Sequence, residues 1–300
     1  MTDRRRAKEA EVRPLERSEA SRLAPGLYVV ATPIGNLRDI TLRALEVLGS
    51  ADLVLCEDTR VTRKLLDRHN LAPKLLAYHD HNAASVRPRV LEALATGSAV
   101  ALVSDAGTPL ISDPGFKLTE AAIAAGHRVF PIPGASAALA ALVCAGLPSD
   151  RFFFEGFLPP KSAARKARLS ELRTIPATLI FYESGPRLAG SLADMAAALG
   201  ARDAAVCREL TKAYEEVRRG SLEELVSHYE VAGAPKGEIV VMVSPPGEAA
   251  PPDDADIDAK IKAALKKLSL KDAAAAIAAE AGRPRKEIYA RALALADKKR

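Results

Sequence analysis

Four short apolar runs, each closed by turn-forming or acidic residues and each followed by a helical stretch, restrict what this chain can fold into more than any other feature. They are LYVVATPIGN from Leu27, ADLVLCEDTR from Ala51, AVALVSDAGTP from Ala99 and RVFPIPGAS from Arg128. Near-continuous apolar runs suit strands buried on both faces, and strands alternating with helices build an open, largely parallel sheet. Such sheets hold ligands beyond the carboxyl ends of their strands, so the chemistry is expected in the segments that close the runs. Between the first two, Asp39 or Thr41 can cap a helix whose apolar stripe is Leu42, Leu45, Val47 and Leu48, with Gly49 to stop it. A second helix is predicted from about Lys117 to Ala125, ended by Gly126.

After Ala145-Gly146-Leu147-Pro148 the texture changes to FFFEGFLPP, a basic helix, and the strands TLIFYES, AAVCREL, EEVRRGS and GEIVVMVS with fewer helices between them. This predicts a second α/β domain of mixed strand direction. A chain of 300 residues, 48% of them hydrophobic, accommodates two such cores and a small appendage. The organisation expected is a mobile charged tail over 1–24, α/β domains over 25–146 and 147–244, a Pro/Asp linker over 245–258 and a basic helical unit over 259–300. In that last unit Ser269 to Asp272 opens an alanine-rich helix, a glycine turn follows, and Arg285 and Lys286 lie where a second helix begins. The pattern is that of a helix-turn-helix.

From Lys260 to Arg300 there are twelve Lys or Arg against four Asp or Glu, a local excess larger than the formal +5 of the whole chain. A polyanion is the partner this favours, with RNA ahead of DNA. Cys56, Cys144 and Cys207 show no paired spacing for zinc or a disulfide framework, which fits a reducing cytoplasm. No apolar run approaches the length of a bilayer span, and no apolar leader segment follows Arg4-Arg5-Arg6, so neither membrane insertion nor secretion is expected.

The first closing segment, Ala31 to Asn36, has a single glycine and is not GxGxxG, which removes the dinucleotide fingerprint. The third, Ser104 to Pro109, is followed at once by Ile111-Ser112-Asp113-Pro114-Gly115. Gly107 lets backbone approach a ligand, while Asp105 or Asp113 can cap the next helix. In the fourth, Ser136 can serve as an N-cap, and the glycine that a nucleophile elbow places before its serine is missing, so a serine hydrolase has little support. Tyr78-His79-Asp80-His81-Asn82 places two histidines together with no third ligand at a metal spacing, so no metal site is expected. Lys161, Arg165, Lys166, Arg168 and Arg173 stand against a single acid, Glu171; the pattern fits a solvated helix face or a path for a nucleic-acid backbone.

Taken as an ordered set, ATPIGNLRDIT, CEDTR, SDAGTPLISDPG, PIPGASA and YESGPR, with Pro235-Lys236-Gly237-Glu238, resemble the tetrapyrrole-methylase family from about Leu27 to Val243. The resemblance implies two α/β domains, S-adenosylmethionine held in the cleft between them, and a homodimer. Within the family it points to the branch that methylates the ribose 2′-oxygen of a cytidine in 16S rRNA of the 30S subunit. By motif it puts the cofactor near Pro33, Asp105, Gly107, Thr108, Pro133, Gly134, Ala135 and Ser136, and near the backbone of Lys236, Gly237 and Glu238. Phe181, Tyr182 and Leu210 are further neighbours. Tetrapyrrole-modifying members usually carry a glycine-rich first loop where this chain has TPIGN, which points away from a porphyrinoid substrate.

Methylating a hydroxyl oxygen requires a group that eases its proton away. Glu57 or Asp58, with Arg60, can supply that base; a purely structural carboxylate–arginine pair is the alternative. RNA contacts are expected at His79, Asn82, Lys161, Arg165, Lys166, Glu183, Arg187, Arg285 and Lys286. Two other functions compete. C-methylation of a tetrapyrrole leaves the basic tail, CEDTR and YHDHN without a role; a ligand-sensing DNA-binding regulator would use the terminal helices to read an operator.

Overall fold

A computed structural model describes residues 23–247 and 254–297. The mobile tail expected over 1–24 lies, apart from its last two residues, outside the described residues, as does part of the linker expected over 245–258.

Each of the four apolar runs forms a strand and a fifth joins them, third in order; along the chain they are β1 (Gly26–Val30), β2 (Leu53–Cys56), β3 (Leu75–Ala77), β4 (Ala99–Val103) and β5 (Val129–Ile132). They form one sheet in the order β3-β2-β4-β1-β5, parallel throughout. Alternate side chains feed opposite faces: Tyr28 and Val30 pack with Val54, Ala101 and Ile132, whereas Leu27 packs with Leu55, Val100 and Leu102. The helices that cover these faces are α1 (Leu42–Ser50), α2 (Thr59–Arg68), α3 (Ala83–Ala95) and α4 (Phe116–Ala124). Thr41, not Asp39, caps α1 by accepting from the Ala44 amide, and α1 runs through Gly49 to Ser50, where Ala51 donates to the Val47 carbonyl. Its buried stripe is Ala44, Val47 and Leu48, while Leu42 is exposed.

The topology fixes where a crevice opens. From β1 the chain crosses to β2 on one side, and from the adjacent β4 it crosses to β5 on the other. The segments leaving β1 and β4 therefore diverge, and an open α/β sheet binds ligands at that switch point. Thr32 and Gly107 tie the two segments together at their base, exchanging amide-to-carbonyl bonds of 2.9 and 3.1 Å.

The second sheet runs β6-β7-β10-β8-β9, from β6 (Phe152–Phe157), β7 (Thr178–Ser184), β8 (Asp203–Arg208), β9 (Glu216–Ser221) and β10 (Glu238–Val243). Only β6 and β7 are parallel, as mixed direction predicts. Three helices intervene, against four between the strands of the first sheet, as the sequence predicts: α6 (Ser162–Leu172), α7 (Gly185–Leu199) and α8 (Leu222–Ala232). The outer face of this sheet is covered by α7 and α8 through Leu188, Leu192, Met195, Leu222 and Leu225. Its inner face is covered by α5 (Ala137–Ala145), the helix that follows the first sheet, through Ala138, Ala141, Leu142 and Ala145 against Ile180, Ala205, Val240 and Met242. That packing brings Cys144 and Cys207, sixty-three residues apart in sequence, to a sulfur–sulfur separation of 3.9 Å.

The last unit has three helices, α9 (Asp254–Ala264), α10 (Leu270–Ala281) and α11 (Arg285–Asp297). Residues 254–258, expected in a linker, are helical because their carboxylates are paired: Arg283 and Arg291 reach Asp254 at 2.9 Å and Arg291 reaches Asp258 at 2.5 Å. Ser269 caps α10 as its sequence predicts, and Gly282 ends it in the left-handed conformation. Ile257, Ile261, Ala274, Ile277, Ile288 and Ala292 form the unit's own small core.

Candidate active site in the cleft between the two sheets

A cleft of about 270 Å³ opens where the diverging segments of the first sheet face β7, β8 and β10 of the second. Ile34 and residues 105–108 and 111–113 form one wall. The start of α5 closes one end with Ser136 and Ala137, and Phe157, Tyr182, Glu183, Cys207, Leu210 and Glu238 to Val240 form the opposite wall. Two loops with left-handed residues frame it. Leu110 and Ser112 have φ of 73° and 62° on one side; Glu209 and Thr211 have φ of 49° and 68° on the other. Such conformations cost about 1 kcal/mol or more per residue and persist only where surrounding contacts impose them. Those contacts are visible for the second loop: Lys212 bridges Glu209 and Glu238 at 2.8 Å each, and Thr211 accepts from the Asn36 amide at 3.2 Å.

Of the residues expected at the cofactor, Asp105, Gly107, Thr108, Ser136, Tyr182 and Glu238 line the cleft, together with Leu210. Pro33, Pro133, Gly134, Ala135, Lys236 and Gly237 stand behind the lining. Thr108 Oγ1 donates to the Ala135 carbonyl at 3.0 Å, Arg208 donates to the Lys236 carbonyl at 3.2 Å, and Pro133 belongs to a shallow hollow beside Tyr28 and Phe130. Gly237, at φ +100°, admits the Glu209 side chain, which a β-carbon there would meet at 2.4 Å. Phe181 is fully buried in the second core. Ser136 occupies the N-cap position of α5 without a capping bond, and α4 starts after Gly115, so neither Asp105 nor Asp113 caps it.

Asp105 Oδ1 instead accepts from the Asp58 amide at 3.0 Å, anchoring the CEDTR segment to the cleft. Asp58 is the N-cap of α2 and clamps Arg60: Oδ1 takes the Arg60 amide at 2.8 Å and Oδ2 takes Nη2 at 2.6 Å. The hydrogen bonds from the Arg60 side chain and backbone hold the Asp58 carboxyl down at about 2. A carboxylate that weakly basic is a poor proton acceptor, so the structural reading of the Asp58–Arg60 pair prevails over the base reading. Burial and then the Asp105 charge push Glu57 above its ordinary value, with further contributions from Asp80 and Asp58, opposed by His79. Asp113, which the sequence offers only as a helix cap, lies on the cleft wall, where burial, then Glu57 and Asp105, push it up to about 6 against the Ser104 hydroxyl.

Most of the basic groups expected at RNA are committed internally. Arg165 is buried against Asp194 at 2.7 Å and also donates to the carbonyls of Pro160 and Gly190. Burial works to raise Asp194, but its bonds from Arg165 and Ser162 win and hold it below its ordinary value. Lys166, half exposed, approaches the same carboxylate at 3.4 Å. Arg168 clamps Glu155 and Glu171, so α6 is not an open cationic track; Lys161 remains exposed at its start. Glu183 is buried, accepts from the Ser184 amide and the Ser191 hydroxyl, and pairs with Arg187 at 3.2 Å, while Arg187 also donates to the Leu158 carbonyl at 2.7 Å. This pair braces β7 against α7 instead of presenting free charge. The Asn82 side chain closes a turn, taking the His79 amide and giving to the Ala77 carbonyl, both at 2.9 Å. Arg285 and Lys286 are exposed at the start of α11.

Among the described residues, the charged side chains on the cleft wall are all carboxylates: Asp105, Asp113, Glu183 and Glu238. Around them the wall is apolar, from Ile34, Ile111, Leu210, Ile239 and Val240. A parallel sheet and a mixed sheet thus face each other across a cleft at the switch point, lined by carboxylates and apolar side chains. The chain belongs to the tetrapyrrole (corrin/porphyrin) methylase family, whose model matches residues 26–226, and it is a methyltransferase. A second model, described as the RsmI C-terminal HTH domain, matches residues 251–296.

Within the family its similarity narrows further. It is 53% identical over 290 residues to a Mesorhizobium japonicum protein named ribosomal RNA small subunit methyltransferase I, covering 96% of each chain. A protein of the same name from Erythrobacter litoralis is 53% identical over 276 residues, covering 92% of this chain and 97% of the relative. The structure of uroporphyrin-III C-methyl transferase from Thermus thermophilus, complexed with S-adenosylhomocysteine, shares the fold at a TM-score of 0.52 and 18% identity, over 72% of this chain and 96% of that one.

Proposed function

We propose that this methyltransferase uses S-adenosylmethionine to methylate the ribose 2′-oxygen of a cytidine in 16S rRNA, on the small ribosomal subunit in the cytoplasm, as the homodimer that the family resemblance implies. The names of its relatives support an rRNA substrate. The observation that carries the reading is a separation of charge. The cleft presents carboxylates and no cationic side chain among its described lining, whereas the helical unit after residue 254 holds exposed Arg285 and Lys286 in the first turn of α11. Cations at a helix N-terminus oppose the helix dipole, so their placement favours contact with an external anion over helix stability. A carboxylate-rich porphyrinoid would be repelled by the cleft; a neutral ribose would not, while its flanking phosphates stay outside.

The chain's own groups fit a cationic methyl donor. Asp105 on the cleft wall offsets a positive centre, and the start of α5 at Ser136 and Ala137 suits an amino-acid carboxylate. Ile34, Leu210, Ile239 and Val240 offer apolar surface for a purine ring. When bound, the donor supplies an electrophilic methyl group on positively charged sulfur. The protein's part is to orient a hydroxyl towards it, exclude water and take the hydroxyl proton.

The test is incubation with labelled S-adenosylmethionine and, separately, 30S particles, naked rRNA, a porphyrinogen or duplex DNA. Label should enter the 30S particle and be lost when the target ribose lacks its 2′-hydroxyl. Removing residues 254–300 should weaken particle binding and flatten its salt dependence. Transfer to the porphyrinogen with none to RNA overturns the proposal.

A further inference from the structure

Besides Glu57, which acts on Asp113 by its charge but is not part of the lining, five carboxylates lie in or beside the cleft among the described residues, and their surroundings divide them by task. Asp58 is spent on the α2 cap and Arg60. Asp105 Oδ1 is held by the Asp58 amide. Glu183 is engaged by Ser184, Ser191 and Arg187. Glu238 is an exposed partner of Lys212. Asp113 differs: it is half-buried on the wall and, among the described residues, pairs with no cation, and beside it is the Ser104 hydroxyl, whose proton goes to the Gly107 carbonyl at 3.1 Å.

The backbone around Asp113 is arranged to hold it there. Leu110 and Ser112 have positive φ, and Gly115 turns the chain at φ +128° against Leu102, which a β-carbon would meet at 2.7 Å. Across the cleft, the bulge in β6 at Gly156 makes room for Ser112 Oγ, which a β-carbon there would meet at 2.8 Å. Left-handed conformations at two residues that carry side chains, just ahead of an aspartate and with Ser112 against the opposite lobe, are strain of the kind that persists where geometry serves chemistry.

Resting on the methyl-transfer reading above, we propose that Asp113 is the catalytic residue that accepts the substrate hydroxyl proton, with Glu57 and Asp105 as the neighbours that set its basicity. The hydroxyl O–H bond breaks and its proton passes to an Asp113 carboxylate oxygen. The electron pair left on oxygen forms the new O–CH3 bond, and the pair of the old S–CH3 bond stays on sulfur as a neutral thioether. The charged groups facing Asp113 are Glu57 and Asp105 from its own lobe and Glu183 and Glu238 from the other, with the Tyr182 phenol nearby. All the charged ones raise its proton affinity or leave it unchanged, so the carboxylate is ionised near neutrality yet more basic than an ordinary one.

The experiment compares wild type, Asp113→Asn and Glu57→Gln by three measurements: calorimetric binding of S-adenosylhomocysteine, the pH profile of single-turnover transfer to 30S particles, and carbon-13 NMR titration of aspartate carboxyls in the ligand-free protein. Wild type should show an aspartate titrating near 6 that is absent in Asp113→Asn, and an acid limb in the rate at the same pH. Asp113→Asn should bind the homocysteine product within about threefold of wild type and transfer methyl about 100-fold more slowly. Glu57→Gln should move both the NMR titration and the acid limb to lower pH, a displacement that a merely structural aspartate would not produce. If Asp113→Asn binds the product and transfers at the wild-type rate, or if Glu57→Gln leaves both titrations in place, the assignment of Asp113 is overturned while the methyl-transfer reading stands. If wild type itself binds no product, both fall together.

Discussion

Replacing Asp194 with alanine strands a guanidinium inside the second lobe. Arg165 and Asp194 are each 8% exposed, their contact is 2.7 Å, and the carboxylate is further held by Ser162 at 3.0 Å and Lys166 at 3.4 Å. Breaking a buried pair by removing one member costs about 3–5 kcal/mol, because the other stays desolvated and uncompensated. Here the stranded Arg165 retains long bonds of 3.3 to 3.5 Å to the Pro159, Pro160 and Gly190 carbonyls, which places Asp194→Ala at the lower end, about 3 kcal/mol. A thermal midpoint lowered by about 6 °C or more, with a matching loss in urea, is the expected reading. Replacing both residues by leucine should recover most of that stability, since an apolar pair no longer desolvates charge. The double variant should also bind 30S particles as wild type does, because Arg165 spends its donors inside the protein. A cost below about 1 kcal/mol for Asp194→Ala would refute the burial argument. Loss of particle affinity in the double variant at unchanged stability would return Arg165 to the RNA surface.

Two further outcomes follow from the cleft. Asp113 is raised from 3.8 to about 6 in the folded protein, so folded molecules hold its proton more tightly than unfolded ones; the stability this contributes is full below about 4 and is lost as pH rises through about 6. Asp113→Asn should therefore be more stable than wild type at pH 7.5, by about 1 kcal/mol once the roughly 3 kcal/mol ceiling is reduced for solvent screening at a half-open site, and urea midpoints at pH 4 and pH 7.5 check this. Gly185→Ala should destabilise by about 3 kcal/mol and weaken S-adenosylhomocysteine binding, because its β-carbon would come within 1.7 Å of the Pro235 carbonyl and displace the segment that leads to Glu238; unchanged calorimetric affinity would argue against that coupling.

The strands of the first sheet were legible because burial on both faces writes an uninterrupted apolar run, as at Val100 to Val103. β3 was not, since its three residues are only half-buried and too few to show a period. Gly107, Thr108 and Ser136 could be placed at the cleft by the family resemblance, whose motifs fall at the strand ends where such sheets bind ligands. Phe157, Cys207, Ile239 and Val240 could not, because on the sequence they are ordinary strand residues whose exposure depends on how the second sheet faces the first. Asp113 looked like a cap, and only the position of Gly115 shows that α4 begins without it. The basic run over α6 misled for a related reason: its acidic partners, Glu155 and Asp194, lie thirteen and twenty-nine residues away from Arg168 and Arg165, beyond any local pattern of charge. The capping role of Asp58, two residues from its arginine, was by contrast a local signal that the sequence already contained.

The placement of α5 limits how this molecule can be divided. By chain order it completes the first lobe, yet its apolar side is seated on β8 and β10 of the second. A fragment cut near residue 146 would carry a helix whose sticky side has lost its cover, and the remaining half would expose a bare sheet. The two lobes thus share one indivisible seam, so neither can be swapped, split for complementation or inherited separately without taking the helix along.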